Sequence, residues 1–344
     1  MRARLAVATL ALAALAIRPS SDVHAQTPTV TVGGLAYAQY LFQLKDTANH
    51  VNNFDVTRAY LNVIGKFGHG VQTRVTGDIF RSADGSLSYR LKYGYVAWTP
   101  EKSALTFKIG QIHTPLLDWE ETLWDYRVQG QMAMERGGYV ASSDFGAGID
   151  GNWGGDKVNM QVGIYNGENY NKAPGDQRKD LMGRVSVRLL GTDDGSKVGG
   201  LRLTGYGQIG KPTGGGTRQR WLGMLSFRSK AVTLAAEFAS TKDSVVATPV
   251  TPEKSGTVVS LFGTVKVPNS KVGLIARFDV IDPNTASAAT DDRLNRIIAG
   301  VSYKMSDNLR LLLDLDNLWQ QGGSPTPAFE ATRSQLYFQA QINF

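Results

Sequence analysis

The chain has 344 residues, with 38 Gly, no Cys and a formal net charge of +7 from 37 Lys and Arg against 30 Asp and Glu. Without Cys there is neither a disulfide scaffold nor a thiolate metal site, and a hydrophobic fraction of 42% is too high for a disordered polypeptide. Past residue 25 no apolar run reaches the roughly 18 residues of a membrane helix, and the glycine content suits a sheet with many tight turns better than helices.

The first element is an export signal. Arg2 and Arg4 precede an apolar run from Leu5 to Ile17, which is too short to span a bilayer. Val23 and Ala25 then supply small residues at −3 and −1 of a cut after Ala25. The expected mature chain is Gln26–Phe344, and no separate plug domain precedes its first strand, which argues against a large energised transporter.

From residue 30 onward the chain reads as strands. Side chains of a strand point alternately to opposite faces, and the alternation is clearest near the end. Leu309, Leu311, Leu313 and Leu315 alternate with Arg310, Leu312, Asp314 and Asp316. Leu336, Phe338, Ala340, Ile342 and Phe344 alternate with Gln335, Tyr337, Gln339, Gln341 and Asn343. Sixteen segments follow this rule, at 30–44, 53–67, 70–81, 87–99, 104–112, 144–153, 157–166, 180–190, 200–210, 218–228, 231–241, 256–267, 271–281, 294–304, 309–319 and 333–344. Most have the roughly 9–11 residues or slightly more that a tilted strand needs to cross a bilayer. Short turns alternate with mostly longer polar loops, 242–255 among them. The expectation is an all-β fold: a sixteen-stranded antiparallel transmembrane β-barrel with short periplasmic turns, longer extracellular loops and one long inward-folded loop.

The outward parity carries apolar residues with almost no charge. It places Phe67, Trp153, Phe227, Tyr303 and Phe344 at one end and Tyr89, Trp221, Phe238 and Trp319 at the other, the two aromatic girdles of a membrane barrel. Trp98 breaks the parity, and a bulge at Thr99-Pro100 would restore it. The terminal Phe344 resembles an outer-membrane assembly signal, which implies the outer-membrane assembly machinery as a partner.

The inward parity collects seventeen bases, among them Arg58, Arg74, Arg90, Lys92, Lys108, Arg184, Arg202, Arg220, Arg228, Arg277, Arg296, Arg310 and Arg333. It collects five acids, Asp78, Glu237, Asp279, Asp314 and Asp316. A charge facing lipid near the midplane costs roughly 2–4 kcal/mol, so these residues must line water or pair across it, and the surplus of bases concentrates small anions. The longest loop, 113–143, is too long and too apolar for a simple connection. It contains Trp119 and Trp124, the acids Asp118, Glu120, Glu121 and Asp125, and the bases Arg127 and Arg136. We expect it to fold into the barrel and constrict it, with a transverse field between its charges and the wall. Because its acids are as prominent as its bases, a non-selective or weakly cation-selective pore stays open beside an anion pore.

An enzyme would need a general base or nucleophile on the wall. Past the signal the histidines are His50, His69 and His113, none with a Ser or Asp at an adjacent inward position. Metal-ligand spacings, phosphate-cradling loops and nucleic-acid signatures are absent, so we expect no metal, no cofactor and no nucleic-acid partner. A barrel enzyme or an adhesion or receptor barrel is the remaining alternative.

Several runs resemble a known family. They are Phe54-Asp55-Val56-Thr57-Arg58-Ala59-Tyr60-Leu61, Lys108-Ile109-Gly110-Gln111 with Pro115, Met134-Glu135-Arg136, Asp144-Phe145-Gly146-Ala147-Gly148 and Ile164-Tyr165-Asn166-Gly167. In order and spacing they are similar to the phosphate-selective porin O and P family, best over 52–167. The resemblance implies a passive outer-membrane channel in a Gram-negative cell, a homotrimer, a third loop folded inward, and arginines lining the constriction. Arg58, Lys108, Arg127 and Arg136 fall in the matching regions, with Arg74 and Arg90 as a wider approach. The implied partners are small anionic solutes, phosphate possibly among them, and outer-membrane lipid.

Overall fold

The computed structural model describes residues 27–173, 175–286, 292–321 and 326–344; the expected signal peptide, 1–25, lies outside them. The strands are β1 Thr29–Gln43, β2 Asn52–Lys66, β3 Val71–Arg81, β4 Leu87–Trp98, β5 Leu105–His113, β6 Ser143–Trp153, β7 Val158–Tyr165 and β8 Asp180–Leu190. They continue as β9 Gly200–Gly210, β10 Gly216–Arg228, β11 Val232–Val245, β12 Thr251–Lys266, β13 Val272–Asp282, β14 Leu294–Lys304, β15 Leu309–Gln320 and β16 Ser334–Asn343. Each pairs antiparallel with its sequence neighbours, and β1 closes on β16 with Gln39 opposite Gln339. Three short helices interrupt the strands: α1 Leu117–Trp124 and α2 Ala133–Arg136 inside the longest loop, and α3 Pro327–Thr332 before β16. The expected all-β, sixteen-stranded closed barrel is what forms. Closure leaves no sheet edge with unpaired backbone groups.

The two faces separate as alternation requires. On β15, Leu313 and Leu315 are exposed outside, whereas Leu312, Asp314 and Asp316 are buried inside. All nine aromatic residues assigned to the outward ends are exposed there. Trp98 joins the short-turn end, stacked on Phe107 with ring centroids 5.8 Å apart. The bulge that turns it outward is not at Thr99-Pro100. Thr76 pairs with Tyr93 but Gly77 pairs with Leu91, so Lys92 is the extra residue. A bulge places two consecutive side chains on one face, and both Lys92 and Tyr93 are buried inside.

The expected loop at 242–255 is mostly strand. β11 and β12 run on through the pair Val245 and Thr251, with Lys242 Nζ 2.9 Å from Glu253 Oε1 across them. Here Val245, Val246 and Val250 fall on both parities among polar residues, so alternation gives no signal, and backbone pairing carries the hairpin beyond the apolar belt.

The chain end is tied into the closure. Phe344 N–H donates to Gly34 O at 3.1 Å, and Gly34 N–H donates to Phe344 O at 2.7 Å. A Cβ at Gly34 would overlap the Phe344 ring. Deleting Phe344 should therefore lower the folded, heat-modifiable form seen on gels. Gly34→Val, which displaces the ring but keeps the terminus, should lower it less. Normal yields of both variants would separate the terminal ring from barrel closure.

Candidate functional site: the lumen and its long loop

The long loop leaves and re-enters through the last pair of β5 and β6, His113 with Ser143. Its neck is closed by Thr114 N–H on Ser142 O at 3.2 Å and by the Thr114 hydroxyl on Ala141 O. Beyond the neck it is apolar, and the apolar part is buried: Leu116, Leu117, Leu123, Trp124, Met132, Ala133 and Met134 are wholly inaccessible. Trp124 meets Phe262 of β12 edge-on, with centroids 5.5 Å apart. Trp119 lies beneath two guanidiniums of the wall, Arg184 Cζ at 4.0 Å and Arg202 Cζ at 5.4 Å from its ring. Contacts of this kind are each worth about 0.5–2 kcal/mol.

The polar contacts show which wall the loop leans on. Arg184 Nε donates to Pro115 O at 2.9 Å. Arg228 Nη1 donates to Thr122 O at 2.7 Å and Leu123 O at 3.2 Å, satisfying carbonyls that the end of α1 leaves free. Arg310 pairs with Asp125 at 3.1 Å, and Tyr126 shares a hydrogen bond with Ser302 at 2.8 Å. Arg277 Nη1 donates to Gln131 O at 2.9 Å. The arginines of β8, β10, β13 and β15 thus hold the loop; inward parity alone left open whether they line water or pair across it. Asp125 ends α1 in the left-handed region, φ 58°, a conformation that Asp tolerates better than most residues.

The basic candidate residues fall into three places. Arg58, Arg127 and Arg136 meet at a cavity of about 420 Å³ with Tyr37, Arg296 and Asp316. Arg58 is 3.9 Å from Asp78. Arg127 is held within the loop by Glu121 at 2.7 Å and Glu135 at 2.8 Å. Asp316 serves both Arg136 at 3.3 Å and Arg296 at 2.6 Å. Among the residues lining this cavity there are four guanidiniums and one carboxylate.

Arg74, Lys108 and Asp118 meet at a second cavity, of about 360 Å³, with His113, Asp150, Arg184 and Lys197. Here four cations face two carboxylates. Lys108 pairs with Asp150, and Asp118 pairs with Lys197 at 2.7 Å. Arg74 has no carboxylate within ion-pair distance among the described residues. It donates instead to Asn62 Oδ1 at 3.0 Å and Thr76 Oγ1 at 3.0 Å, and its Cζ lies 4.6 Å from the Tyr93 ring. His113 stacks on Tyr93 with centroids 3.9 Å apart, its Nε2 3.2 Å from Arg74 Nη1. Arg90 stands apart from both cavities, bonded to Tyr170.

Glu120 differs from the other loop acids. It is fully buried, and among the described residues neither its carboxyl oxygens nor those of buried Glu237 have a hydrogen-bond partner. Arg277 is already engaged at 2.8 Å by Asp279. Glu120 therefore faces the wall, not the water path.

Sequence reasoning overlooked several partners. Asp150 and Asp180 lie on the inward parity of β6 and β8 and could have been counted there. Asp194, paired with Arg228 at 2.7 Å, and Asp243, paired with Arg220 at 2.8 Å, come from a turn and a strand extension. Only the fold brings those to the arginines.

No family model matches the chain, and no curated protein matches it. Solved structures do. Salmonella typhi OmpF, in complex with daunomycin, aligns with a TM-score of 0.67 at 12% identity, over 92% of this chain and 97% of that one. A trimer form of OmpT, an outer membrane protein of Vibrio cholerae, gives 0.64 at 12% identity, over 93% and 100%. The outer membrane channel DcaP of Acinetobacter baumannii gives 0.63 at 12% identity, over 92% and 97%. At such identities the likeness is one of fold: this chain has the sixteen-stranded fold of the porins.

Proposed function

We propose that the chain is an outer-membrane porin, a passive diffusion channel whose lumen favours small anions. The observation that carries this reading is the surplus of cations at the cavity of Arg74 and Lys108, four against two carboxylates, whereas the four guanidiniums of the Arg58 cavity are offset by Asp78, Glu121, Glu135 and Asp316. The exposed apolar belt between two aromatic rings supports a lipid surround. In this reading the signal peptide is removed after Ala25, the barrel sits in the outer membrane of a Gram-negative cell, and Phe344 is read by the assembly machinery. The trimer form of the Vibrio cholerae protein supports a homotrimer. The loop 113–143 acts as the constriction, with Arg58, Arg74, Lys108, Arg127 and Arg136 along it and Arg90 above.

The motifs of the phosphate-selective O and P family make phosphate one candidate solute. Arg127 and Arg136 are each tied to carboxylates, which leaves fewer free guanidinium forks for bidentate capture and favours small anions in general. His113 has Asp118 3.9 Å from its Nε2, but Asp118 is engaged by Lys197 at 2.7 Å and the ring is stacked on Tyr93 and bonded to Arg74, an arrangement that favours a structural role over a barrel enzyme. The test is purified protein in a planar bilayer. Stepwise KCl conductance, partly blocked by added inorganic phosphate, is the expected result; a silent bilayer contradicts the channel.

A further inference from the structure

One aromatic side chain reaches the lumen from neither the strands nor the long loop. Tyr170 belongs to the connection between β7 and β8, residues 166–179, and its N–H donates to Ser143 O at 3.2 Å. That anchor sets it against β4. Its ring centre is 4.7 Å from Arg90 Cζ and 4.9 Å from Lys92 Nζ, and its hydroxyl accepts from Arg90 Nη2 at 3.0 Å. Phe80 lies 5.0 Å from Arg90 Cζ and Tyr60 lies 5.5 Å from Lys92 Nζ. Each cation thus has two rings within cation–π distance, Tyr170 being common to both.

Arg90 and Lys92 have no direct counter-ion. Neither forms an ion pair among the described residues, Lys92 is only 1% exposed, and Arg90 Nε is buried without an acceptor. The negative face of an aromatic ring offsets part of the cost of such burial. A direct charge-assisted bond to an anion is stronger than a ring face. An anion entering from the long-loop end therefore competes with the ring for the same two cations.

Resting on the anion-channel reading, we propose that Tyr170 is a specificity-determining residue. Its ring stands in for an anion on Arg90 and Lys92, and passing anions displace it. Anions that bond both cations are favoured over those that coordinate weakly.

The experiment uses the full chain in planar bilayers, with conductance measured against KCl concentration. Tyr170→Ala should lower the half-saturating chloride concentration by about two- to tenfold, the factor matching the loss of a competing cation–π contact. Tyr170→Phe keeps the ring and should stay near the native value. In a Lys92→Met background the effect of Tyr170→Ala should shrink. An unchanged half-saturation in Tyr170→Ala overturns the proposal, as does an equal effect in the Lys92→Met background, which would mean simple widening. Tyr170→Phe behaving like Tyr170→Ala also overturns it, because the hydroxyl and not the ring face would then matter. A native channel that prefers K⁺ overturns the anion reading along with it; a native channel that prefers chloride with Tyr170→Ala unchanged overturns this proposal alone.

Discussion

Replacing Arg58 and Arg74 together with Glu should reverse the ion preference proposed for the channel. Each replacement exchanges a cation for an anion at a cavity beside the loop. A unit charge about 6 Å from a passing ion contributes about 0.7 kcal/mol at the dielectric of water and about 3 kcal/mol at an effective value of 20. The narrowed passage beside the loop lies between these limits, and screening there is weaker than in bulk salt. Each charge reversal counts twice, so the chloride-to-potassium permeability ratio should fall by well over about tenfold. Arg74 matters most because no carboxylate among the described residues pairs with it, and Arg58 is only loosely paired, with Asp78 3.9 Å away. Lys108→Glu should act in the same direction but places its carboxylate beside Asp150. Arg333→Glu is the control: Arg333 is paired with Glu330 at 2.7 Å near α3, and its reversal should move the ratio least.

Excising α1 and α2, residues 117–136, and joining the ends with a short Gly-Ser linker should raise single-channel conductance severalfold. These residues fill the lumen against β8–β15, and their buried apolar side chains have no role in closing the barrel. The strand ladders run unbroken from β1 to β16 without them, so the variant should still assemble. A milder version is Trp124→Ala. Truncating a buried Trp costs about 3–5 kcal/mol, here charged against loop docking, and the expected sign is a noisier, more conductive channel. Conductance unchanged by the excision would mean that the loop does not limit flow.

Much of this architecture was legible in the residues. Period-2 alternation at Leu309–Asp316 and Leu336–Phe344 fixed which side chains face out, and the two aromatic rings followed from parity alone. Parity failed where it must, at Trp98 beyond the extra residue Lys92, because a bulge is a property of two paired strands and leaves no mark on one of them. It also failed at 242–255, where Val and polar residues fall on both parities and only the partner strand reveals the pairing. The inward position of the long loop was legible from its Trp and Leu content. Which wall it leans on was not, since Arg184, Arg228, Arg277 and Arg310 look identical in sequence to arginines that face water. The same limit applied to Glu120, which reads like its neighbours Asp118 and Glu121 yet is fully buried. Tyr170 was missed for a related reason: a polar loop gives no signal of where its one aromatic residue comes to rest.

The account turns on the sign of the field in the lumen, and one measurement reads that sign directly. Purified native protein in a planar bilayer, under a KCl gradient, should reverse at a potential of the sign set by chloride permeability. A reversal potential of the sign set by potassium would contradict it, and would show that the loop acids Asp118, Glu121 and Asp125 govern the pore in place of the basic wall.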